Sequence, residues 1–102
     1  MLTRAKQPGA QVLAGRYSAQ RKQAEHDAYK EVCQSAAPVH ADPCATLSSQ
    51  IDHTNRCIAM MQAWDSKWPD PSWPSGRHAN DIDGLQNRLN DLKDAHNKKC
   101  AQ

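Results

Sequence analysis

The sequence predicts an all-α fold: a small helical bundle built on an antiparallel hairpin of two long helices plus one further helix. Three observations carry this expectation. Apolar residues recur at three- and four-residue spacing from Cys44 to Asp65, and again from His78 to His96, the period of a helix with one buried face. Proline and glycine cluster between those stretches, where neither residue continues a helix well. No alternating apolar–polar run of strand length occurs.

The 102 residues are read as one domain or a fragment of a larger chain, with no room for a second core. Hydrophobic content is 38% and mean hydropathy is −0.89, so the core has to be thin. A chain of this size buries only about two-thirds of its unfolded surface, and cross-links or a partner help it fold. A net charge of +2 is too small to mark a nucleic-acid binder. Its distribution says more, because Arg4, Lys6, Arg16, Arg21 and Lys22 all precede the first acidic residue, Glu25. Such a basic stretch suits a phosphate backbone or a solvated tail. No apolar run approaches the ~20 residues of a membrane span, and the opening M-L-T-R-A-K-Q-P-G-A has no signal-peptide core. Export, if it occurs, is expected to depend on a carrier.

Residues 1–17 contain Pro8, Gly9 and Gly15 without a sustained period and read as a linker or poorly ordered lead. The domain is therefore expected over residues 18–102. A first helix fits Ser18 to about Ser35, with Ser18 as N-cap and Ala24, Ala28, Val32 and Ala36 on one face. After a loop over Ala36–Ala41, Asp42-Pro43 is a start signal: an N-cap side chain followed by proline at the first helical position. The second helix is expected to reach about Lys67, spanning roughly 36 Å. Its stripe is Cys44, Leu47, Ile51, Thr54, Ile58, Met61 and Asp65, widened by Met60 and Trp64. The third runs from about Ala79 to Lys99 on a narrow stripe of His78, Ile82, Leu85, Leu89, Leu92 and His96. Gly84 within it costs about 1 kcal/mol relative to alanine, so another backbone is expected to approach it closely.

The cysteines are Cys33, Cys44, Cys57 and Cys100, and their spacing matches no zinc motif. If the hairpin closes between Lys67 and His78, facing residue numbers sum to about 145. Cys44 then lies beside Cys100, and the short loop before the second helix brings Cys33 to the same end. One bridge is expected, Cys44–Cys100 or Cys33–Cys100, contributing about 2–4 kcal/mol in an oxidising setting. The alternative is four reduced thiols acting as small core residues. Cys57 is expected to sit alone near the middle of the bundle, as a core residue rather than a nucleophile.

The segment from Trp64 to Leu85 holds all three tryptophans, Pro69, Pro71, Pro74 and the only Gly-Arg-His. It is longer than the about 2–8 residues that join helices in most bundles, and reads either as a working surface or as a plug for the open end of the bundle. The hairpin arithmetic sets His78 opposite Trp64, Asp65 and Lys67, with Arg77 before it and Asp81 one turn beyond. An imidazole oriented by Asp65 or Asp81 can move protons near neutral pH. The Arg77 guanidinium can hold phosphate and stabilise charge developing on it, and Trp64, Trp68 and Trp73 can stack on unpaired bases. The competing reading is a histidine that only caps and packs. A second pair, His53 and His96, falls roughly opposite one another toward the cysteine end; Asp52 or Asp94 could join them around a metal, but hydrogen-bonded core histidines explain them better. His26 and His40 read as surface groups. No metal site or cofactor is called for.

The pattern formed by Cys44, Leu47, Ile51, Cys57, Trp64-Asp65, Trp73, Gly76-Arg77-His78, Ile82, Leu85, Leu89 and Cys100 resembles the small helical C-terminal toxins of bacterial polymorphic toxin systems, and among them the group called novel toxin 16. The resemblance covers a little over half the chain, and its specific part is Trp64, Gly76, Arg77, His78 and the cysteines. It implies a toxin domain at the end of an Rhs-type delivery protein, carried into a neighbouring bacterial cell. There it would act in the cytoplasm as a metal-independent nuclease on RNA and be neutralised by a cognate immunity protein. The chain has no H-N-H arrangement and no carboxylate cluster suited to two metals. Two other readings stand beside this one: a non-enzymatic interaction module using the Trp-Pro loop as its surface, and a toxin acting on DNA or a nucleotide.

Overall fold

The computed structural model describes the backbone of residues 2–100 and the side chains of residues 18–100. Three helices follow one another, α1 (Leu2–Gln34), α2 (Pro43–Lys67) and α3 (Ala79–Cys100), with no strand among the described residues. The fold is all-α. No helix among these residues is long and apolar enough to cross a membrane.

The central element is α2. Its start is built as the sequence indicates: the Asp42 side chain accepts from the backbone N–H of Cys44 at 3.0 Å, and Pro43 occupies the first turn. This pairing satisfies one of the amides left open at any helix start. The helix ends at Trp68, whose N–H donates to the Trp64 carbonyl at 2.9 Å. Thr54, Cys57, Ile58 and Trp64 are its buried residues. On one side α3 returns antiparallel, as Cys44–Cys100, Ser48–His96 and Asp65–His78 show along its length. Leu89 is buried at the centre of the α3 stripe, flanked by the half-buried Leu85 and Leu92.

On the other side lies α1, also antiparallel to α2: Trp64 meets Lys22, Cys33 meets Cys57 and Ser35 meets His53. Among the described residues, both α1 and α3 pack on α2, but not on each other. The resulting array is long and thin, 74 × 29 × 18 Å. Its radius of gyration of 19.8 Å exceeds the ~13 Å of a compact chain of this length. Among the described residues, no side chain is less than 2% exposed, and the core is reduced to Tyr29, Cys57, Ile58, Trp64 and Leu89 with Thr54 and His78.

Three expectations are corrected here. Helix α1 begins at Leu2, well before Ser18, so Ser18 is an interior residue and not an N-cap. Alanine, glutamine, leucine, arginine and lysine in this stretch favour helix by intrinsic propensity, which a search for apolar period does not register. Gly84 has no atom from beyond its own stretch of helix within 4 Å of where a Cβ would stand, so no other backbone approaches that side of it.

The third correction concerns the cysteines. There are two bridges, Cys44–Cys100 and Cys33–Cys57, and no free cysteine. The first is one of the expected pairings, but Cys57 is bonded and not alone. The cause is the register of α1. Its last turn stands beside Cys57 rather than beside Pro43, so α2 continues about 20 Å past the end of α1. The connection over residues 35–42 covers that distance as extended chain running back along α2, since about nine peptide steps reach ~30 Å. His40 ties it down, its N–H donating to Thr46 Oγ1 at 2.9 Å and its Nε2 pairing with Ser49 Oγ at 2.8 Å.

Candidate active site

The Trp64–Leu85 segment folds back so that His78 is enclosed by both neighbouring helices. Gly76 makes this possible with φ of +103°, a conformation that L side chains rarely adopt. A Cβ at Gly76 would stand 3.0 Å from Asp65 Oδ2, so the glycine also makes room for that carboxylate. The Ile82 N–H donates to the His78 carbonyl at 2.8 Å, placing His78 at the entry to α3.

Asp65 grips His78 twice. Its Oδ2 accepts from the His78 backbone N–H at 2.8 Å, and its Oδ1 lies 2.6 Å from the ring Nδ1. A carboxylate can only accept here, so the network assigns the ring proton to Nδ1 and leaves Nε2 as acceptor. The Tyr29 hydroxyl, 2.5 Å away, donates to Nε2. Asp65, His78 and Tyr29 therefore form one chain of hydrogen bonds running from α2 through the α2–α3 connection to α1. Tyr29 is 3% exposed and His78 8%. The Tyr29 pKa is raised, first by burial and then by the Asp65 carboxylate, against an opposing pull from Arg77. Its phenol stays protonated at neutral pH.

A cleft of about 400 Å³ opens over this chain, lined by Tyr29 and His78 together with His26, Lys30, Trp73, Arg77 and Asp81. Trp73 is 46% exposed, and the Arg77 guanidinium lies 5.9 Å from the centre of its ring. The structure thus brings together His78, Arg77, Asp65 and Trp73 from the residues singled out in the sequence. Asp81 lines the cleft but makes no hydrogen bond to His78, whose orienting partner is Asp65.

Trp64 and Trp68 stand elsewhere. Trp64 is 7% exposed, packs edge-on against the His78 ring at 5.5 Å, and donates from Nε1 to the Lys22 carbonyl at 3.1 Å. It has no open face for a base and acts as the wall behind the histidine. Trp68 is half-buried outside the cleft, donating to Glu25 Oε2 at 2.7 Å; Lys67 also binds Glu25 and lies over the Trp68 ring. These two donors hold the Glu25 carboxyl below its usual pKa, Lys67 contributing most.

The second histidine pair does not meet. His53 Nε2 lies 2.7 Å from the Val32 carbonyl and 3.2 Å from Ser35 Oγ, facing α1. His96 Nε2 faces Ser48 Oγ at 3.3 Å. Asp52 is exposed and Asp94 pairs with Lys98 at 3.1 Å. Among the described residues, no group of three or more His, Cys, Asp or Glu converges as metal ligands would.

Two residues of the site escape a reading by apolar period: Tyr29, and His26, which is part-buried beside it rather than on the open surface. The face that α1 turns to α2 follows Lys22, His26, Tyr29 and Cys33, a helical spacing. Apart from the cysteine it consists of polar and aromatic groups, so a search for apolar period settles instead on Ala24, Ala28, Val32 and Ala36.

No family model matches this chain, and neither a curated protein nor a solved structure does. The geometry of the cleft is therefore the main ground for a functional reading.

Proposed function

We propose that this protein is a ribonuclease domain in which His78, oriented by Asp65, accepts the proton of the attacking hydroxyl. The observation that carries the reading is the Asp65–His78–Tyr29 chain opening onto a cleft that also presents Lys30, Arg77 and Trp73. In-line attack on a phosphodiester needs a base for the nucleophile, a cation for the phosphoryl oxygens and a surface that holds the base. His78 backed by Asp65 is the base, Arg77 with Lys30 the anion contact, and Trp73 the stacking face. Since Nε2 is occupied by the Tyr29 hydroxyl, the proton reaches His78 through the phenol or after the phenol has swung aside.

The wider setting in this proposal is a toxin, delivered to a neighbouring cell by a carrier protein and held in check by an immunity partner. It rests on the resemblance of Trp64, Gly76-Arg77-His78 and the cysteines, and is compatible with two bridges of the kind that form in oxidising compartments. Purified protein is incubated with total RNA and with plasmid DNA, each with and without EDTA. The expected result is RNA cleavage that EDTA does not stop, with DNA intact. His78→Ala should lower the rate by about 10²–10⁴-fold and restore growth of a bacterial host expressing the domain. Arg77→Lys should impair it too, because an ammonium cannot reproduce bidentate phosphate contacts. A folded His78→Ala protein with undiminished cleavage would refute the assignment.

A second reading takes the exposed Trp73–Arg77 pair as the centre of a protein-binding surface, since tryptophan and arginine dominate interface hot spots. Under it, neither nucleic acid is cut and expression is harmless.

A further inference from the structure

His26 lies against the hydrogen-bonded chain without belonging to it. Its ring meets Tyr29 edge-on at 4.9 Å and Trp64 at 5.7 Å, and its centre is 6.5 Å from that of His78. These contacts fix the ring in the wall of the cleft. Its Nδ1 is buried and makes no hydrogen bond, Asp27 Oδ1 being 3.6 Å away, beyond bonding range. Buried polar atoms are almost always paired, so an unpaired one calls for a reason. Packing supplies none, since an apolar side chain fills the same space without leaving a nitrogen unsatisfied. The opposite nitrogen, Nε2, makes no hydrogen bond among the described residues, and the His26 side chain lines the cleft.

We propose that His26 is the general acid of the cleavage, giving its Nε2 proton to the departing 5′-oxygen, and that the substrate is accordingly RNA and not DNA. The inference rests on the ribonuclease reading above. A pair of proton-transfer groups without further help suits transesterification, in which the nucleophile is the 2′-hydroxyl of the substrate. The 2′-oxygen forms a bond to phosphorus as the bond from phosphorus to the 5′-oxygen breaks. The 2′ proton passes by way of the Tyr29 hydroxyl to His78 Nε2, making an imidazolium that Asp65 stabilises. The proton on His26 Nε2 goes to the leaving oxygen, and the remaining ring proton stays on Nδ1 beside the Asp27 carboxylate. The products are a 2′,3′-cyclic phosphate and a 5′-hydroxyl; DNA, lacking the 2′-hydroxyl, cannot follow this course. The charged and titratable groups around His26 are Lys22, Asp27, Tyr29 and Lys30 of α1, Asp65 of α2, Arg77 and His78 of the connection, and Asp81 of α3.

The test compares an ordinary RNA dinucleotide with one whose 5′-bridging oxygen is replaced by sulfur, because a thiolate leaves without a proton. His26→Gln should lose about 100-fold on the oxygen substrate and recover to within a few-fold of wild type on the sulfur substrate. His78→Gln, lacking the base, should fail on both. In the wild-type protein the alkaline limb of the kcat profile should be present with oxygen and absent with sulfur. Equal loss by His26→Gln on both substrates, or no loss on either, overturns the acid role and leaves the ribonuclease reading standing. A wild-type protein that cleaves neither substrate overturns both. Should His26→Gln not fold, the wild type still decides: the His26 imidazole followed by NMR should titrate at the pH of the alkaline limb, and a mismatch rejects the assignment.

Discussion

Trp64 and Trp73 belong to the same segment of the sequence and have opposite situations in space. Trp64 is wedged among His26, Tyr29 and His78, so Trp64→Ala should cost about 3–5 kcal/mol, as large aromatic truncations in cores do. Trp73→Ala should leave the melting temperature nearly unchanged; a loss approaching that of Trp64→Ala would refute its placement on the surface of the cleft. Gly76 is sensitive for a different reason. Alanine there adopts a strained φ and crowds Asp65, so Gly76→Ala should destabilise by about 1–3 kcal/mol and lower cleavage more than Trp73→Ala. Denaturant titration beside a rate measurement separates the two effects. Tyr29 adds an alkaline signature. Its pKa is raised in the folded state, so its contribution is complete below the ordinary tyrosine value of about 10 and is lost as pH rises through the folded value. Thermal midpoints should be level from neutrality to about pH 9 and then fall, less steeply in Tyr29→Phe.

At the scale of the helices, α3 offers the cleanest test of packing. Gly84 is exposed, with open space where a Cβ would stand, so alanine brings helix propensity without a clash. Gly84→Ala should stabilise the protein by up to about 1 kcal/mol, read as a higher urea midpoint at unchanged slope. A loss of stability would mean that something does approach this face. The boundaries of α2 and α3 were legible because their signals are local: Asp42-Pro43 at one start, proline and glycine between the two helices, and one apolar stripe on each. α1 was legible only in part. The face it turns to α2 follows Lys22, His26, Tyr29 and Cys33, and the burial of Tyr29 comes from a hydrogen bond and aromatic edges rather than from an apolar stripe. The hairpin alone set His78 opposite Asp65 but left Asp65 and Asp81 as alternative partners of the ring, whereas Tyr29 and His26 could not be placed, because they belong to the helix whose register the sequence leaves open.

Across the whole molecule, two bridges tie α2 to both of its neighbours. They close separations of 24 and 56 residues, together worth about 6–8 kcal/mol, comparable with the about 5–15 kcal/mol that stabilises a typical domain. Reduction should therefore lower the melting point steeply or unfold the chain, and a reduced protein as stable as the oxidised one would show that the helices suffice. Peptide mapping under non-reducing conditions should link Cys33 to Cys57 and Cys44 to Cys100, with no thiol labelled before reduction. By itself the sequence determined the helical class, the limits of α2 and α3, and the placing of His78 opposite the Asp65 turn of α2, because period, caps and a hairpin register act over short distances along the chain. The tertiary structure alone decided where α1 stops along α2, and with it the partner of Cys57 and the arrival of Tyr29 and His26 at His78. An extended connection allows many registers of similar local energy, and only packing, hydrogen bonding and the cross-link across space select one.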